Sequence, residues 1–318
     1  MRIGVGSGLN AADFADACAA LIGETPRRLA VAVSGGPDSL ALLLLAHAAF
    51  DAKIVVLTVD HGLRRGSADE AAMVARVCSA RGIAHATLVW QGVKPTANIQ
   101  AAARDARYAL MADYCVAHGI MWLATAHHAD DQAETLLLRL ARGSGMGGLS
   151  GIRARRALGS GVTLLRPLLG ARRATLHALV DAAGLDPVDD PANRSPAYDR
   201  TVARALLAAN AWLDASRLAA VARHLAEAEA ALAWAADLAW DSRVEATAEE
   251  VRVDGAGLPG ELRRRLVVRA LTQFGAAPRG PGIERLIARL AGGSSATLAG
   301  IQARGGDKWT FRRAHSRP

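Results

Sequence analysis

Leu29-Ala30-Val31-Ala32-Val33-Ser34-Gly35-Gly36-Pro37-Asp38-Ser39 is the stretch on which the fold turns. The apolar run Leu29–Val33 reads as a strand covered on both faces, and it breaks at once into two glycines and a proline before the helix-length stretch Asp38–Phe50. Glycines let the backbone turn tightly and bring its amides close to an anion, Ser34 and Ser39 add hydroxyl donors, and the following helix presents its positive N-terminal end. That combination suits phosphate. A carboxylate in the same turn would repel phosphate unless Mg²⁺ bridges the two or Asp38 caps the helix. The alternative is a plain strand-to-helix turn capped by Asp38.

Outward from this turn the same alternation repeats. Ile54–Val59, Ala86–Trp90 and Met121–Ala126 read as further buried strands, and Ser67–Arg81 and Ile99–His118 as the helices between them. The spacing predicts an α/β fold with a doubly wound parallel sheet, whose ligand crevice lies beyond the carboxyl ends of the strands. Ser34–Ser39, Asp60–Arg64 and His127–Glu134 are the stretches that should line it. Arg142–Gly161 reads as one long loop. After about Leu206 the composition shifts to Ala-rich amphipathic stretches, 208–213 and 218–240. Two more helices follow over Leu262–Phe274 and Ile283–Leu290, and then Thr297–Arg304 and Lys308–Arg313, joined at Gly305 and Gly306 as a hairpin. The expected domains are 1–206 and a smaller, mostly helical 207–318 that ends in this β-hairpin.

Composition excludes several classes. With 318 residues, 51% apolar, the chain is long enough for two cores. Cys18, Cys78 and Cys115 are isolated, which argues against a disulfide framework or a structural metal cluster and for a reducing compartment. The most apolar run, Leu40–Phe50, is too short to span a bilayer, so a soluble cytoplasmic protein without a membrane partner is expected. The net charge of +8 is unevenly spread: +5 over residues 121–180 and +6 over 241–318 flank −4 over 181–240. Two separate basic regions suit an RNA partner, although arginine richness alone is a weak signal. Trp90, Trp122, Trp212, Trp234 and Trp240 lie in apolar stretches and read as core.

Ser34-Gly35-Gly36-Pro37-Asp38-Ser39 resembles the PP-loop of ATP pyrophosphatases, Rossmann-like enzymes that split ATP between its α and β phosphates. Asp60-His61-Gly62-Leu63-Arg64, Asn98-Ile99-Gln100 with Arg104 and Arg107-Tyr108, and His127-His128-Ala129-Asp130-Asp131-Gln132-Ala133-Glu134-Thr135 narrow the resemblance to the tRNA(Ile)-lysidine synthetases. Arg139, Arg142-Gly143, Gly148-Leu149, Arg166-Pro167-Leu168-Leu169, Asp190-Pro191-Ala192-Asn193, Asp199-Arg200 and Arg204 extend it over about two thirds of the chain. The chain is similar to the short form of that family, with one C-terminal domain.

The resemblance implies a ligase that attaches free L-lysine to C2 of the wobble cytidine of tRNA(Ile) with a CAU anticodon. ATP is the co-substrate with Mg²⁺, the intermediate is an adenylylated tRNA, and the codon read changes from AUG to AUA; monomer and homodimer both stay open. It implies ATP binding by Ser34, Gly35, Gly36, Pro37, Asp38, Ser39 and Asp60, with Asp38 toward Mg²⁺. Asp131 and Glu134 would bind lysine, Asp38, Arg107, His127 and Asp131 would serve catalysis, and Arg104, Arg107, Arg142, Arg200 and Arg204 would contact tRNA.

The residues by themselves leave blander readings open. Asp131 and Glu134 share a helix face that could hold an ammonium, or they merely complement the helix dipole. Asp60 could face the nucleotide or be a strand-end turn residue. Arg104 and Arg107 could lie on a solvated face. The rivals are another PP-loop ligase, either an amidotransferase-type synthetase or a tRNA thiolase, and a non-catalytic nucleotide-sensing RNA adaptor.

Overall fold

The computed structural model describes residues 9–63, 66–92, 94–95, 97–188, 199–278 and 280–314. Arg64 and Asp190-Pro191-Ala192-Asn193 lie outside them. The chain divides into two compact units, Met1–Ala226 and Glu227–Pro318.

The first unit contains α1 (Ala11–Ile22), β1 (Leu29–Ala32), α2 (Pro37–Phe50), β2 (Ile54–Asp60), α3 (Ser67–Ser79), β3 (Ala84–Val89), α4 (Ile99–Ala117), β4 (Trp122–Ala124) and α5 (Ala129–Ala141). It continues through α6 (Met146–Leu149), β5 (Arg155–Gly159), β6 (Val162–Leu165), α7 (Arg173–Ala182), α8 (Asp199–Ala209) and the start of α9 (Ala215–Arg243). The strands form one sheet in the order β3-β2-β1-β4-β6-β5, parallel except for β5, which runs against β6. The doubly wound sheet expected from the sequence is present.

Its apolar strands alternate between two cores. Leu29, Val31, Ile54 and Val56 face α1, α2, α3 and α7, whereas Ala30, Val55 and Leu57 face Tyr108, Met111 and Cys115 of α4. A strand with a period of two and both faces covered must be apolar throughout, which is why these runs carried no polar alternation. α2 is apolar almost all round for the same reason, since it lies between the sheet and the helices α1 and α7. All three cysteines are buried in these cores, and burial pushes the Cys18 thiol up to about 12.

From β1 the chain moves outward to β2 and β3, and α4 then carries it back to β4 on the other side of β1. The strand order therefore reverses between β1 and β4, and the turns that follow those two strands open onto one crevice.

Two readings need correction. Arg142–Gly161 is not one loop, because it holds α6 and β5; Arg155, Arg156 and Gly159 gave that strand no apolar signal. Trp212 and Trp234 are not core residues, being 76% and 66% exposed. The division between units falls inside α9, beyond the composition shift at Leu206. α8 packs on α5, and Ala222 of α9 approaches Gly151, so both belong with the sheet.

The second unit holds the end of α9, β7 (Val244–Ala246), β8 (Glu250–Val253), α10 (Gly260–Gln273), α11 (Gly282–Ala291), β9 (Ser295–Leu298), β10 (Ile301–Arg304) and β11 (Trp309–Arg313). The expected hairpin is β10–β11, set within a five-stranded antiparallel sheet of order β7-β8-β11-β10-β9. Val251, Val253, Ile301, Ala303, Trp309 and Phe311 form its buried face and pack with Leu266, Leu271, Leu286 and Leu290 of α10 and α11. No helix among the described residues is long and apolar enough to cross a membrane.

Candidate active site

The turn after β1 is held open by its own atoms. Gly35 has φ +88°, and a Cβ there would stand 3.1 Å from both Met73 Cε and Val188 Cγ2, so only glycine fits without strain. The Val188 N–H donates to the Gly35 carbonyl at 2.9 Å. Buried Ser39 donates to the Gly36 carbonyl at 2.8 Å and accepts from the Ser34 N–H at 3.1 Å. Gly36 is the N-cap of α2, no side chain caps the helix, and Pro37 fills the first turn, where an N–H has no partner to lose. The first amides of α2 thus face the crevice without an internal acceptor, as an anion site requires.

Asp38 does not cap this helix. Its carboxylate turns sideways to His177 Nε2 at 3.2 Å and lies 3.4 Å from His128 Nε2. Burial pushes the Asp38 carboxyl up, but His128 and the charges of Arg173 and His177 outweigh it and hold the group below the usual carboxylate range.

Across the crevice, the turn after β4 sends its two histidines different ways. His128 is fully buried as the N-cap of α5, where its Nδ1 accepts from the Asp131 N–H at 3.3 Å while Asp131 Oδ2 accepts from the His128 N–H at 3.1 Å. Its Nε2 faces Asp38 and, at 3.6 Å, Asp131, at ion-pair range but outside hydrogen-bond geometry. Burial works to lower the His128 pKa; the carboxylates of Asp38 and Asp131 outweigh it, and the net direction is up. His127 instead packs beside Thr125 Oγ1 at 3.1 Å and buried Arg166, and burial together with Arg166, Arg104 and Arg200 holds it well below the ordinary imidazole pKa.

The acids of α5 are already engaged. Asp130 accepts from the Arg173 N–H at 2.8 Å and from the Arg172 guanidinium. Glu134, with a side chain 1% exposed, accepts on Oε1 from Arg173 at 3.1 Å and from Arg204 at 2.9 Å, while its Oε2 is buried with no partner. Arg173 feels Glu134, Asp38 and Asp131 together, so these three carboxylates surround one guanidinium. Asp38 and Asp131 thus converge on His128, with Glu134 beside them through Arg173.

The remaining expected residues scatter. Asp60 accepts from the Gly62 N–H at 2.9 Å and the Ser67 hydroxyl at 2.5 Å, the geometry of a strand-end turn. Arg107 donates to His61 Nε2 at 3.0 Å. Arg142 pairs with Asp199 on the surface, and Arg204 is on Glu134. Arg104 and Arg200 do meet, in a cavity of about 420 Å³ lined also by His127, Arg153, Arg156 and Arg166, with no acidic residue in its lining among the described residues. Arg104 and Arg156 both lie over the Tyr108 ring, at 5.3 and 4.5 Å. Sequence reasoning missed Arg173 and His177 altogether; both lie on the helix after β6, a strand whose following turn the crevice rule would have singled out.

Among the described residues, no group of three or more His, Cys, Asp or Glu side chains could hold a metal by itself. Asp38 alone suits Mg²⁺, which commonly takes one or two protein carboxylates and completes its shell with substrate phosphates and water.

Comparison with known proteins agrees with this geometry. The PP-loop domain family matches residues 10–211. The tRNA(Ile)-lysidine synthase of Novosphingobium aromaticivorans is 49% identical over 292 residues, which cover 90% of this chain and 89% of that protein. That of Zymomonas mobilis subsp. mobilis is 43% identical over 295 residues, with 91% and 89% covered. Among solved structures, a U34-tRNA thiolase from Methanococcus maripaludis superposes with a TM-score of 0.56 at 17% identity, covering 68% of this chain and 78% of that one, a likeness of fold. By its glycine turn, its sheet and these near full-length relatives, the chain belongs to the tRNA(Ile)-lysidine synthase family of PP-loop proteins.

Proposed function

We propose that the chain is an ATP-dependent ligase that joins free lysine to C2 of the wobble cytidine of tRNA(Ile) with a CAU anticodon. The product is lysidine, which moves codon reading from AUG to AUA and identity from methionine to isoleucine. The observation that carries the reading is the likeness to lysidine synthases over nine tenths of both chains.

In the first step the cytidine O2 attacks the α-phosphorus of ATP and pyrophosphate leaves. The amides of Ser34–Gly36 and the open N-terminus of α2 bind the departing phosphates, and Ser39 keeps that turn in shape. Asp38 would hold Mg²⁺, which when bound neutralises pyrophosphate charge. Asp60 holds the turn after β2, and Arg107, steadied by His61, is the guanidinium assigned to the substrate phosphates.

In the second step the lysine ε-amine forms the C–N bond at C2 and AMP leaves with the oxygen it had activated. The amine must shed a proton to attack, and Asp131 is the base assigned to it. Glu134 Oε2, a buried acceptor with nothing to accept, is the group offered to the substrate ammonium. The arginine-lined cavity receives the RNA, its lack of acids matching a polyanion. A homodimer would be compatible with this chemistry and is not required by it.

The test supplies ATP, Mg²⁺, labelled lysine and an unmodified transcript with a CAU anticodon. Label entering the RNA with release of AMP and pyrophosphate is expected. Pyrophosphate without label, or ATP bound but not consumed, would instead favour another PP-loop ligase or a nucleotide sensor.

A further inference from the structure

Arg166 is a buried cation whose hydrogen-bond partners among the described residues include no acid. It follows β6 directly, is 4% exposed, donates to the Arg153 carbonyl and contacts Tyr108. Its Nε donates to His127 Nδ1 over 3.3 Å. A guanidinium N–H can only donate. Nδ1 must therefore offer its lone pair, and the single ring proton of a neutral His127 sits on Nε2. Thr125 Oγ1 lies 3.1 Å from Nδ1 and 3.4 Å from the Leu165 carbonyl, and with Nδ1 unprotonated its one hydroxyl proton goes to the nearer ring nitrogen.

We propose that Arg166 is a positioning residue that fixes His127 as the neutral Nε2–H tautomer, making it a hydrogen-bond donor to an oxygen of the nucleotide bound in the arginine-lined cavity. The charged groups facing His127 are Arg166, Arg104, Arg200 and His128, and Arg156 and Tyr108 flank Arg166. All of the cations oppose an imidazolium, so charge and hydrogen bonding favour the same form. A neutral imidazole N–H stabilises a developing oxyanion without surrendering its proton. Its Nδ1 is blocked as a base, which is consistent with Asp131, the base proposed above, taking the proton lost by the attacking amine. No oxidant, reductant or further co-reactant is involved.

The assignment of a role in ligation rests on the function proposed above, but the tautomer can be measured without substrate. Full-length chain carrying ¹⁵N-labelled histidine, with the His127 signals identified by His127→Gln, should show the Nε2–H pattern for His127 at pH 7.5 and retain it at pH 6. Arg166→Met should mix the tautomers, raise the His127 titration toward its ordinary range, and cut lysine incorporation at least tenfold with a new acidic limb in the pH profile, short of the roughly 100- to 1,000-fold loss of an oxyanion donor removed outright. Arg166→Lys should restore the neutral ring and part of the rate. An Nδ1–H or imidazolium pattern in the wild type, or a wild-type tautomer and titration in Arg166→Met, would overturn the proposal. If Arg166→Met does not fold, the wild-type and Arg166→Lys spectra decide. A chain with the expected spectrum that ligates no lysine supports the tautomer assignment while refuting the proposed function.

Discussion

Replacing Gly35 by alanine tests whether the turn after β1 is a strained cradle or an ordinary loop. Gly35 sits at φ +88°, where an L-residue costs roughly 1–2 kcal/mol. The new Cβ would meet Met73 Cε and Val188 Cγ2 at 3.1 Å. Met73 can swing away, but Val188 is held by its N–H on the Gly35 carbonyl, so the contact adds a fraction of a kcal/mol. The sum is about 2 kcal/mol, or about 4–8 °C in Tm for a unit of this size. Gly36→Ala provides the contrast: its φ is −73° and the nearest atom to a new Cβ is Ser34 Oγ at 3.9 Å, so its cost is the poorer N-cap alone, about 1 kcal/mol or less. Thermal melts of both variants, with and without ATP, give the ranking. Gly35→Ala should melt lower than Gly36→Ala and lose most of the ATP-induced shift, because the displaced carbonyl disturbs the amides beside it. Equal Tm values for Gly35→Ala and wild type, or Gly36→Ala as the weaker protein, would refute the argument.

Three further outcomes are expected. Glu134→Gln should destabilise by about 2 kcal/mol, below the roughly 3–5 kcal/mol of a fully buried pair because Arg173 and Arg204 still reach water, and should raise the lysine KM; denaturant melts showing wild-type stability together with an unchanged KM would contradict both roles. Arg200→Ala should weaken tRNA binding and reduce the slope of log affinity against log salt by about 0.7, read from filter binding across a salt series, whereas an undiminished slope would place Arg200 away from phosphate. The pH dependence has two limbs. Asp38, held low, contributes stability that is present above its unfolded pKa of about 3.9 and is lost as pH falls through the folded value; His128, held high, contributes stability present below about 6.5 and lost as pH rises through its folded value. His128→Asn keeps a capping side chain and should flatten the alkaline limb of a pH–stability curve and shrink the acid limb, because His128 also holds Asp38 low, so an unaltered slope above pH 6.5 would remove that assignment.

β1, β2 and β4 were legible because burial on both faces makes Leu29–Val33 and Ile54–Val59 apolar almost throughout, a pattern few loops share, whereas β3, read as a buried strand, is an edge strand whose side chains are exposed or half-buried. β5 was illegible for the opposite reason: its arginines face outward and its end turns on Gly159, Ser160 and Gly161. β7 and β8 are too short to show alternation, and Ala299 and Gly300 split what read as one run into β9 and β10. The glycine turn could be read locally, since its conformation is set by adjacent residues. The use made of Glu134 could not, because its partners Arg173 and Arg204 are 39 and 70 residues away. Ion pairs across such separations leave no periodic trace. Trp234 misled because an Ala-rich helix presents aromatic residues to solvent and to core with the same local composition, and Trp212 because it lies in the turn between α8 and α9 rather than in a packed element.

At one edge of the larger sheet β5 has, among the described residues, one side without a neighbouring strand, and such an open backbone rim is a template on which a stray strand can add. Arg155 and Arg156 sit on that rim, each lying over an aromatic ring, Trp122 and Tyr108 respectively. Positive charge there repels the rim of a second copy, so these two arginines guard the protein against fibril-like self-assembly. Stripping those two charges would therefore shorten the life of concentrated solutions even where the fold itself was spared.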